Sequence, residues 1–387
     1  MSLTPESAGN VLQQLGTFNA VIDARSEDEF ALDHLPDAVN WPTLDNQQRH
    51  DVGWRYKQVN PFEARKMGAA IAARNIAAHI EREVMDKPRT WRPLVYCWRG
   101  GQRSGSLSLV LSQIGFRVSI IEGGYKAFRA AVVADIERLA ATFEYRVVCG
   151  TTGSGKTRLL HALCRAGAQV LDLEDIANHR SSVLGAIPGL AQPSQKAFDT
   201  QVWNQLRHFN PTQPVFVESE SRKVGNVTVP VPLMDAMRVR GNCLNLELPD
   251  SERVALLMED YDYFVRHTDA FCSRLDALTE IRGKQVVQGW KTMVQSGGIS
   301  LVVQELLTQH YDPVYLQSME RNFKRFGTAQ ALAPENRSQA SMDKVAASLV
   351  SETSAWQALR LPTTQLCPGF PGPAFPEGSP PPDDGCS

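Results

Sequence analysis

The chain has 387 residues, of which 43% are hydrophobic and 21% charged, an ordinary globular composition with room for two or three domains. Forty Lys plus Arg against forty-two Asp plus Glu leave a formal net charge of −2, which excludes a polycation that coats nucleic acid indiscriminately; any nucleic-acid partner must meet a local basic patch. No run approaches the about 18 uncharged apolar residues of a membrane span, and seven sparse cysteines without a CxxC pair fit neither a disulfide framework nor a structural zinc site, so the expectation is a cytoplasmic protein in which a functional cysteine acts as a thiolate.

Three regimes follow one another along the chain. Up to about Ala130, short apolar runs at 18–23, 94–97 and 118–121 predict buried strands, while Leu107, Val110, Leu111 and Ile114 recur at helical spacing. This alternation predicts a parallel-sheet α/β domain, placed at 10–135. A second α/β unit, placed at 140–330, opens with the apolar run at 146–149, then a glycine-rich turn, then Leu159, Leu160 and Leu163 on a helix. Further strands are predicted at 169–173 and 214–218, and from about Ser251 to Phe326 the pattern turns mostly helical. The segment 361–387 holds eight prolines and four glycines and reads as a disordered tail, with Cys367 and Cys386 as bystanders.

The first chemical site is Cys97, between a predicted strand and a predicted helix in Tyr96-Cys97-Trp98-Arg99-Gly100-Gly101-Gln102-Arg103-Ser104. Such a turn aims backbone N–H groups at one spot, and the helix N-terminus adds about half a positive charge. Those dipoles, with Arg99 and Arg103, are expected to lower the thiol from its usual pKa of ~8.5, and Gly100 and Gly101 let the loop close on an anion. A lone strand-end cysteine is more often a small buried hydrophobe; two arginines and two glycines tip the reading toward function. Cys97 and Arg103 also stand in Cys-x5-Arg spacing, that of cysteine-dependent phosphatases, although Tyr96 occupies the place where those enzymes usually carry His.

The second site is Gly150-Thr151-Thr152-Gly153-Ser154-Gly155-Lys156-Thr157, a full GxxxxGK[ST] match between a strand and a helix. Amides around Gly150, Gly153, Ser154 and Gly155 are expected to wrap phosphates, Lys156 to add charge, and the Thr157 hydroxyl to hold Mg²⁺. Whether those phosphates belong to a nucleotide or to another diphosphate stays open. Asp172, Glu174 and Glu218 are strand-end acids that either serve this site or are merely solvated, and the polar stretch Glu218 to Lys223 is expected to line the same cleft.

The loop at Cys97 resembles that of rhodanese domains, supported by Val21-Ile22-Asp23-Ala24-Arg25, His34 to Asn40 and Glu122-Gly123-Gly124-Tyr125. Asp23 and Arg25 read as a structural ion pair. Joined to the P-loop, and with Asp172-Leu173-Glu174, His179-Arg180-Ser181-Ser182, Glu220-Ser221-Arg222 and Tyr311-Asp312-Pro313-Val314-Tyr315, the chain resembles bacterial tRNA 2-selenouridine synthases over roughly 10–330, Ser181 being a departure from the familial Gly. The resemblance implies replacement of sulfur by selenium in wobble 2-thiouridine of tRNA through an S-geranylated intermediate. It further implies that Cys97 carries selenium from selenophosphate, that Arg99, Gly100, Gly101 and Arg103 bind that donor, and that the P-loop holds geranyl diphosphate, with no tightly bound cofactor beyond Mg²⁺. Arg321, Lys324 and Arg325 with Phe323 and Phe326, and Arg238 with Arg240, are either tRNA contacts or a solvated face with two core aromatics. Two other readings stand beside this one: a sulfurtransferase fused to an ATP-dependent kinase or regulator, and a Cys-x5-Arg phosphatase. Cys149 reads as strand filler, and Cys164, Cys243 and Cys272 carry no signal.

Overall fold

The computed structural model describes residues 2–180, 185, 187 and 189–360, except for the side chains of 2, 263, 264 and 353–360. The expected tail at 361–387 and the departure at Ser181 lie outside the described residues. Two five-stranded parallel sheets follow each other in the chain, which is the predicted α/β class.

The first sheet comprises β1 (Ser2–Glu6), β2 (Ala20–Asp23), β3 (Ala38–Asn40), β4 (Pro93–Tyr96) and β5 (Arg117–Ile121), in the order β1-β5-β4-β2-β3. Alternation of side chains sends Ile22 and Val95 to one face, where they meet Trp41, Trp91, Leu107 and Leu111, and Val21, Leu94 and Tyr96 to the other. Ile114, expected on the buried face of the helix Gln102–Ile114, is 50% exposed; the helix ends there at Gly115, in the left-handed region, and its last residue hangs past the sheet.

The second sheet comprises β6 (Tyr145–Cys149), β7 (Gln169–Leu171), β8 (Val215–Glu218), β11 (Asn242–Leu246) and β12 (Gln330–Leu332), in the order β12-β11-β6-β8-β7. Between them a small antiparallel hairpin joins β9 (Lys223–Val224) to β10 (Val227–Thr228). From β6 the chain crosses to the edge strand β7, comes back to β8 between them, then passes to β11 and β12 on the other side, so a crevice opens at the carboxyl end of β6, where the P-loop starts. The layer extends past residue 330: β12 closes its edge, and Met342, Ala346 and Leu349 of the helix Gln339–Arg360 pack on the P-loop helix Lys156–Arg165. Residues 250–322 are helical, with their own core of Phe271, Leu275, Leu278, Trp290 and Val302.

One apolar cluster runs through both units, from Val11 and Phe128 to Trp203, Val217 and Phe323. Its hinge is the helix Gly124–Thr142, whose Phe128 meets Trp203 edge-on at 5.8 Å and whose Asp135 accepts from Trp203 Nε1 at 2.9 Å.

Candidate functional site

β4 delivers Cys97 to the carboxyl edge of the first sheet, beside β2, and the loop turns back before the helix Gln102–Ile114 begins. Gly100 (φ 67°) and Gly124 (φ 59°) hold this turn. A Cβ on Gly124 would collide with the carbonyl oxygen of Cys97 and stand 2.5 Å from Gly100 N, so the turn at 123–124 seats against the loop only as glycine. Tyr125 N and Lys126 N then donate to the carbonyls of Cys97 and Trp98 at 2.8 and 3.1 Å.

The Cys97 thiol receives a hydrogen bond from Ser104 Oγ at 3.1 Å and lies 4.0 Å from Gly101 O. The residue is 3% exposed, while Arg99, Gly100, Gly101 and Gln102 are exposed, so access to the sulfur runs through the loop itself. Among the described residues the amides of Arg99, Gly100 and Gly101 meet no backbone acceptor, so a loop-bound anion could take up their hydrogen bonds.

The two arginines expected to flank the anion are not equivalent. Arg103 is spent on Glu29, with Nη1 to Oε2 at 2.6 Å and Nη2 to Oε1 at 3.3 Å, and Arg49 reaches the same carboxylate at 3.1 Å. Burial raises the Glu29 carboxyl, but the two guanidiniums outweigh it and leave its pKa below the usual value. Arg99 is exposed and, among the described residues, has no ion-pair partner. Asp23 and Arg25 form the structural pair read from sequence: both are buried, Arg25 Nη2 sits 2.6 Å from Asp23 Oδ2 and donates to Asp33 O, and the guanidinium lies 3.9 Å from the Tyr125 ring centre.

In the second unit the loop Gly150–Thr157 wraps from β6 into the helix Lys156–Arg165. Gly150 has φ 152°, and a Cβ there would stand 2.7 Å from Leu246 O. Lys156 Nζ folds back onto Gly150 O at 2.8 Å, and Ser154 is fully buried with its hydroxyl unpartnered among the described residues, which suits that hydroxyl to a phosphate oxygen. Thr157 Oγ1 donates to Glu218 Oε1 at 3.3 Å.

Glu218 ends β8, the strand beside β6, and with Glu174 and Glu220 brings three carboxylate oxygens within 4.8 Å of one another. Asp172, the expected fourth acid, caps the helix Leu173–Ala177 through Oδ1, and its Oδ2 lies 3.5 Å from His161 Nε2. Burial, then repulsion from Glu174 and Glu220, pushes Glu218 well above the ordinary carboxylate pKa; burial, then Glu220, pushes Glu174 up to about 8. Such mutual repulsion fits a divalent cation, which Thr157 and these acids would hold. They all face one cavity of about 690 Å³ together with Lys156 and Arg180.

The contacts that several groups make here are not legible in the sequence. Tyr315 OH accepts from Gly150 N at 2.6 Å and meets Ser219 Oγ at 2.9 Å. Arg253, nearly buried, donates twice to Thr152 O, at 3.0 and 2.9 Å, and pairs with Asp312 at 2.6 Å. A π-helical turn at Leu307–Tyr311 sets the aromatic segment over the loop. Tyr311 to Tyr315 had pointed only to a family resemblance; their role as a clamp on the P-loop required the fold.

The two suggested tRNA-contacting segments meet, Lys324 N donating to Arg238 O at 3.0 Å, but not every residue in them is free to contact a ligand. Phe323 is 3% exposed and belongs to the core, which corrects the stacking role considered for it; Phe326 also packs on that core. Arg238 lies 5.9 Å from the Phe323 ring centre, Arg240 donates to Ala140 O, and Arg325 to Asn242 Oδ1. Cys149 is strand core, its thiol donating to Val147 O, as the filler reading had it.

Fold and sites together define a chain in which a rhodanese-like cysteine loop is joined to a P-loop α/β unit. A family model for the rhodanese-like domain matches residues 7–131, and one described as the tRNA 2-selenouridine synthase AAA domain matches 143–295. A tRNA 2-selenouridine synthase of Nitrosomonas eutropha is 30% identical over 346 residues, covering 78% of this chain and 88% of that protein. One of Aeromonas salmonicida is 29% identical over 79% of this chain and 88% of its own, and one of Nitrosomonas europaea 34% identical over 62% and 63%. The chain belongs to the tRNA 2-selenouridine synthase family.

Proposed function

We propose that this protein is a tRNA-modifying transferase that exchanges sulfur for selenium in wobble 2-thiouridine, in two chemical stages served by its two sites. The observation that carries the reading is the pairing, on one continuous core, of a cysteine enclosed by unpaired amides with a phosphate loop facing a large cavity. The names of the relatives support tRNA as the substrate.

In the first stage the thiocarbonyl sulfur attacks C1 of geranyl diphosphate, the C–O bond breaks and diphosphate leaves. The amides of Gly153 and Gly155, the unpartnered Ser154 hydroxyl and the Lys156 ammonium take up the charge that develops on the leaving group, while the amides of Gly150 and Ser154 stay on Tyr315 OH and Thr151 O. Thr157, Glu174, Glu218 and Glu220 would hold Mg²⁺, which when bound neutralises part of the diphosphate charge. Alkylation converts a poor leaving group into a good one.

In the second stage selenium from selenophosphate displaces geranyl thiol at C2, with Cys97 as carrier, Arg99 drawing in the donor, and the amides at Gly100 and Gly101 binding its phosphoryl oxygens. The P–Se bond breaks as water takes up the phosphoryl group, which leaves as phosphate, and the C2–S bond breaks as geranyl thiolate leaves; selenium stays at the selenide level throughout, so no oxidant is needed and Cys97 hands it on without an S–Se bond. Arg103 acts on the loop through Glu29, and this engagement weighs against the phosphatase reading, in which that arginine must face the phosphate.

Among the described residues no helix is long and apolar enough to cross a membrane, and a tRNA substrate supports a cytoplasmic location. The test is incubation with 2-thiouridine tRNA, geranyl diphosphate and selenophosphate, followed by mass spectrometry of the digested nucleosides. Geranylated and then selenated uridine should form; if neither does, the reading fails.

A further inference from the structure

The helical hairpin formed by Asn46–Gln58 and Pro61–Glu83 carries a surface that the fold does not use. Both helices are firmly capped: Asp45 and Gln48 bond each other's backbone N–H at 2.7 and 3.0 Å, and Asn60 Oδ1 accepts from Phe62 N at 2.7 Å. Val59 N and Asn60 N close the turn onto Arg55 O at 3.0 and 3.1 Å. Yet the first helix buries none of its side chains, and residues 54–62 are exposed without a break. Among them Trp54, Tyr56 and Phe62 are 55%, 49% and 63% exposed. One exposed apolar residue is ordinary; three aromatics gathered on an ordered tip call for a partner.

Cations lie between the rings. Arg55, Lys57 and Arg65 are exposed and, among the described residues, have no ion-pair partner, while Lys66 pairs with Glu63 at 2.6 Å. This is the local basic patch that a chain of net charge −2 needs if it is to hold nucleic acid. The hairpin also rises from the rim of the cysteine loop: Arg49, on its first helix, reaches Glu29 at 3.1 Å, and Glu29 holds Arg103. Trp54 follows about 7.5 Å further along that helix.

We propose that this hairpin docks the anticodon loop of the tRNA, its rings stacking on unpaired bases and its cations meeting the neighbouring phosphates, and so presents the wobble nucleotide to Cys97. The inference rests on the proposed function and deepens it by assigning where the RNA sits. Aromatic faces accept any unpaired base, whereas in a duplex the base faces are already stacked, so the surface fits a single-stranded loop. A second copy of this chain fits worse, because a two-fold contact lays the patch on itself, cation against cation.

The experiment is fluorescence anisotropy of a labelled anticodon stem–loop RNA, with a fully paired RNA duplex as control, titrated with the full chain at several salt concentrations. Trp54→Ala and Phe62→Ala should each weaken stem–loop binding at least ~5-fold, leave duplex binding within about twofold and leave the melting temperature unchanged. Arg55→Gln combined with Lys57→Gln should flatten the slope of log affinity against log salt by about 1.4, two phosphate contacts at about 0.7 each. If wild type binds the stem–loop and these variants match it, the hairpin surface is overturned and the tRNA reading stands. If wild type does not bind the stem–loop, both are overturned. A dimer in sedimentation that Trp54→Ala dissolves, with RNA affinity unmoved, would assign the rings to self-association and overturn the proposal.

Discussion

Arg103 turns its guanidinium away from the cysteine loop and onto Glu29, 2.6 Å distant, while Arg99, four residues earlier, stays exposed. The two arginines should therefore separate experimentally. Arg99→Ala is expected to raise the selenophosphate concentration needed for half-maximal selenation ~10-fold with no change in melting temperature. Arg103→Ala and Glu29→Gln should each cost about 1 kcal/mol of stability, and the double variant no more than either alone, because the pair is partly buried. Equal donor dependence in the two arginine variants would show that Arg103 leaves Glu29 during turnover.

Ser104 donates to the Cys97 sulfur, a hydrogen bond that fixes the side chain's orientation in the loop. Ser104→Ala should slow alkylation of Cys97 by iodoacetamide several-fold at fixed pH, followed by mass spectrometry of the Cys97 peptide so that exposed Cys164 does not interfere. Cys97→Ser should keep the geranylated nucleoside and lose the selenated one. A Cys97→Ser protein that still selenates would remove this residue from the carrier role.

Tyr315→Phe deletes the acceptor for Gly150 N and the neighbour of Ser219 Oγ. A part-buried amide left unpaired costs about 1–3 kcal/mol, so denaturant midpoints should fall. Diphosphate affinity should fall with them, since Tyr315 anchors the first residue of the loop that shapes the cradle. Unchanged affinity at reduced stability would assign Tyr315 to folding alone.

Glu174 gives a pH signature. Its pKa stands near 4.5 in an unfolded chain and is pushed up to about 8 in the fold, by burial first and Glu220 second. Between those values the folded state keeps a proton that the unfolded state has released, so the group's contribution to stability declines as pH rises from 4.5 toward 8 and levels off above. In chelator-treated protein, Glu174→Gln should match wild type near pH 4.5 and melt progressively higher than wild type toward pH 8. A parallel offset at every pH would show that Glu174 ionises normally.

The two loops and the strands feeding them could be read from sequence because each is local: an apolar run, glycines where the backbone must turn, and a periodic helix. The short strands β1, β3, β11 and β12 could not, since three to five residues such as Gln330–Leu332 carry too little pattern and owe their pairing to neighbours far along the chain. The same limit hid the clamp on the P-loop. Arg253 reads as one more charge on a helix, and only folding brings it against Thr152 and Asp312. Likewise, nothing in the order of residues says that Glu29 will claim Arg103, 74 positions away.

The continuous cluster that includes Phe128, Trp203 and Phe323, sealed at its edge by Asp33 with Tyr125 and Thr200, has a bearing on how such a protein can be taken apart. Either half expressed by itself would present a greasy face and a stranded carboxylate to water, and should precipitate or bind chaperones. Heating the intact chain should accordingly give a single sharp melt. The fusion thus serves as more than a tether: once the halves came to share an interior, neither could easily resume a separate life.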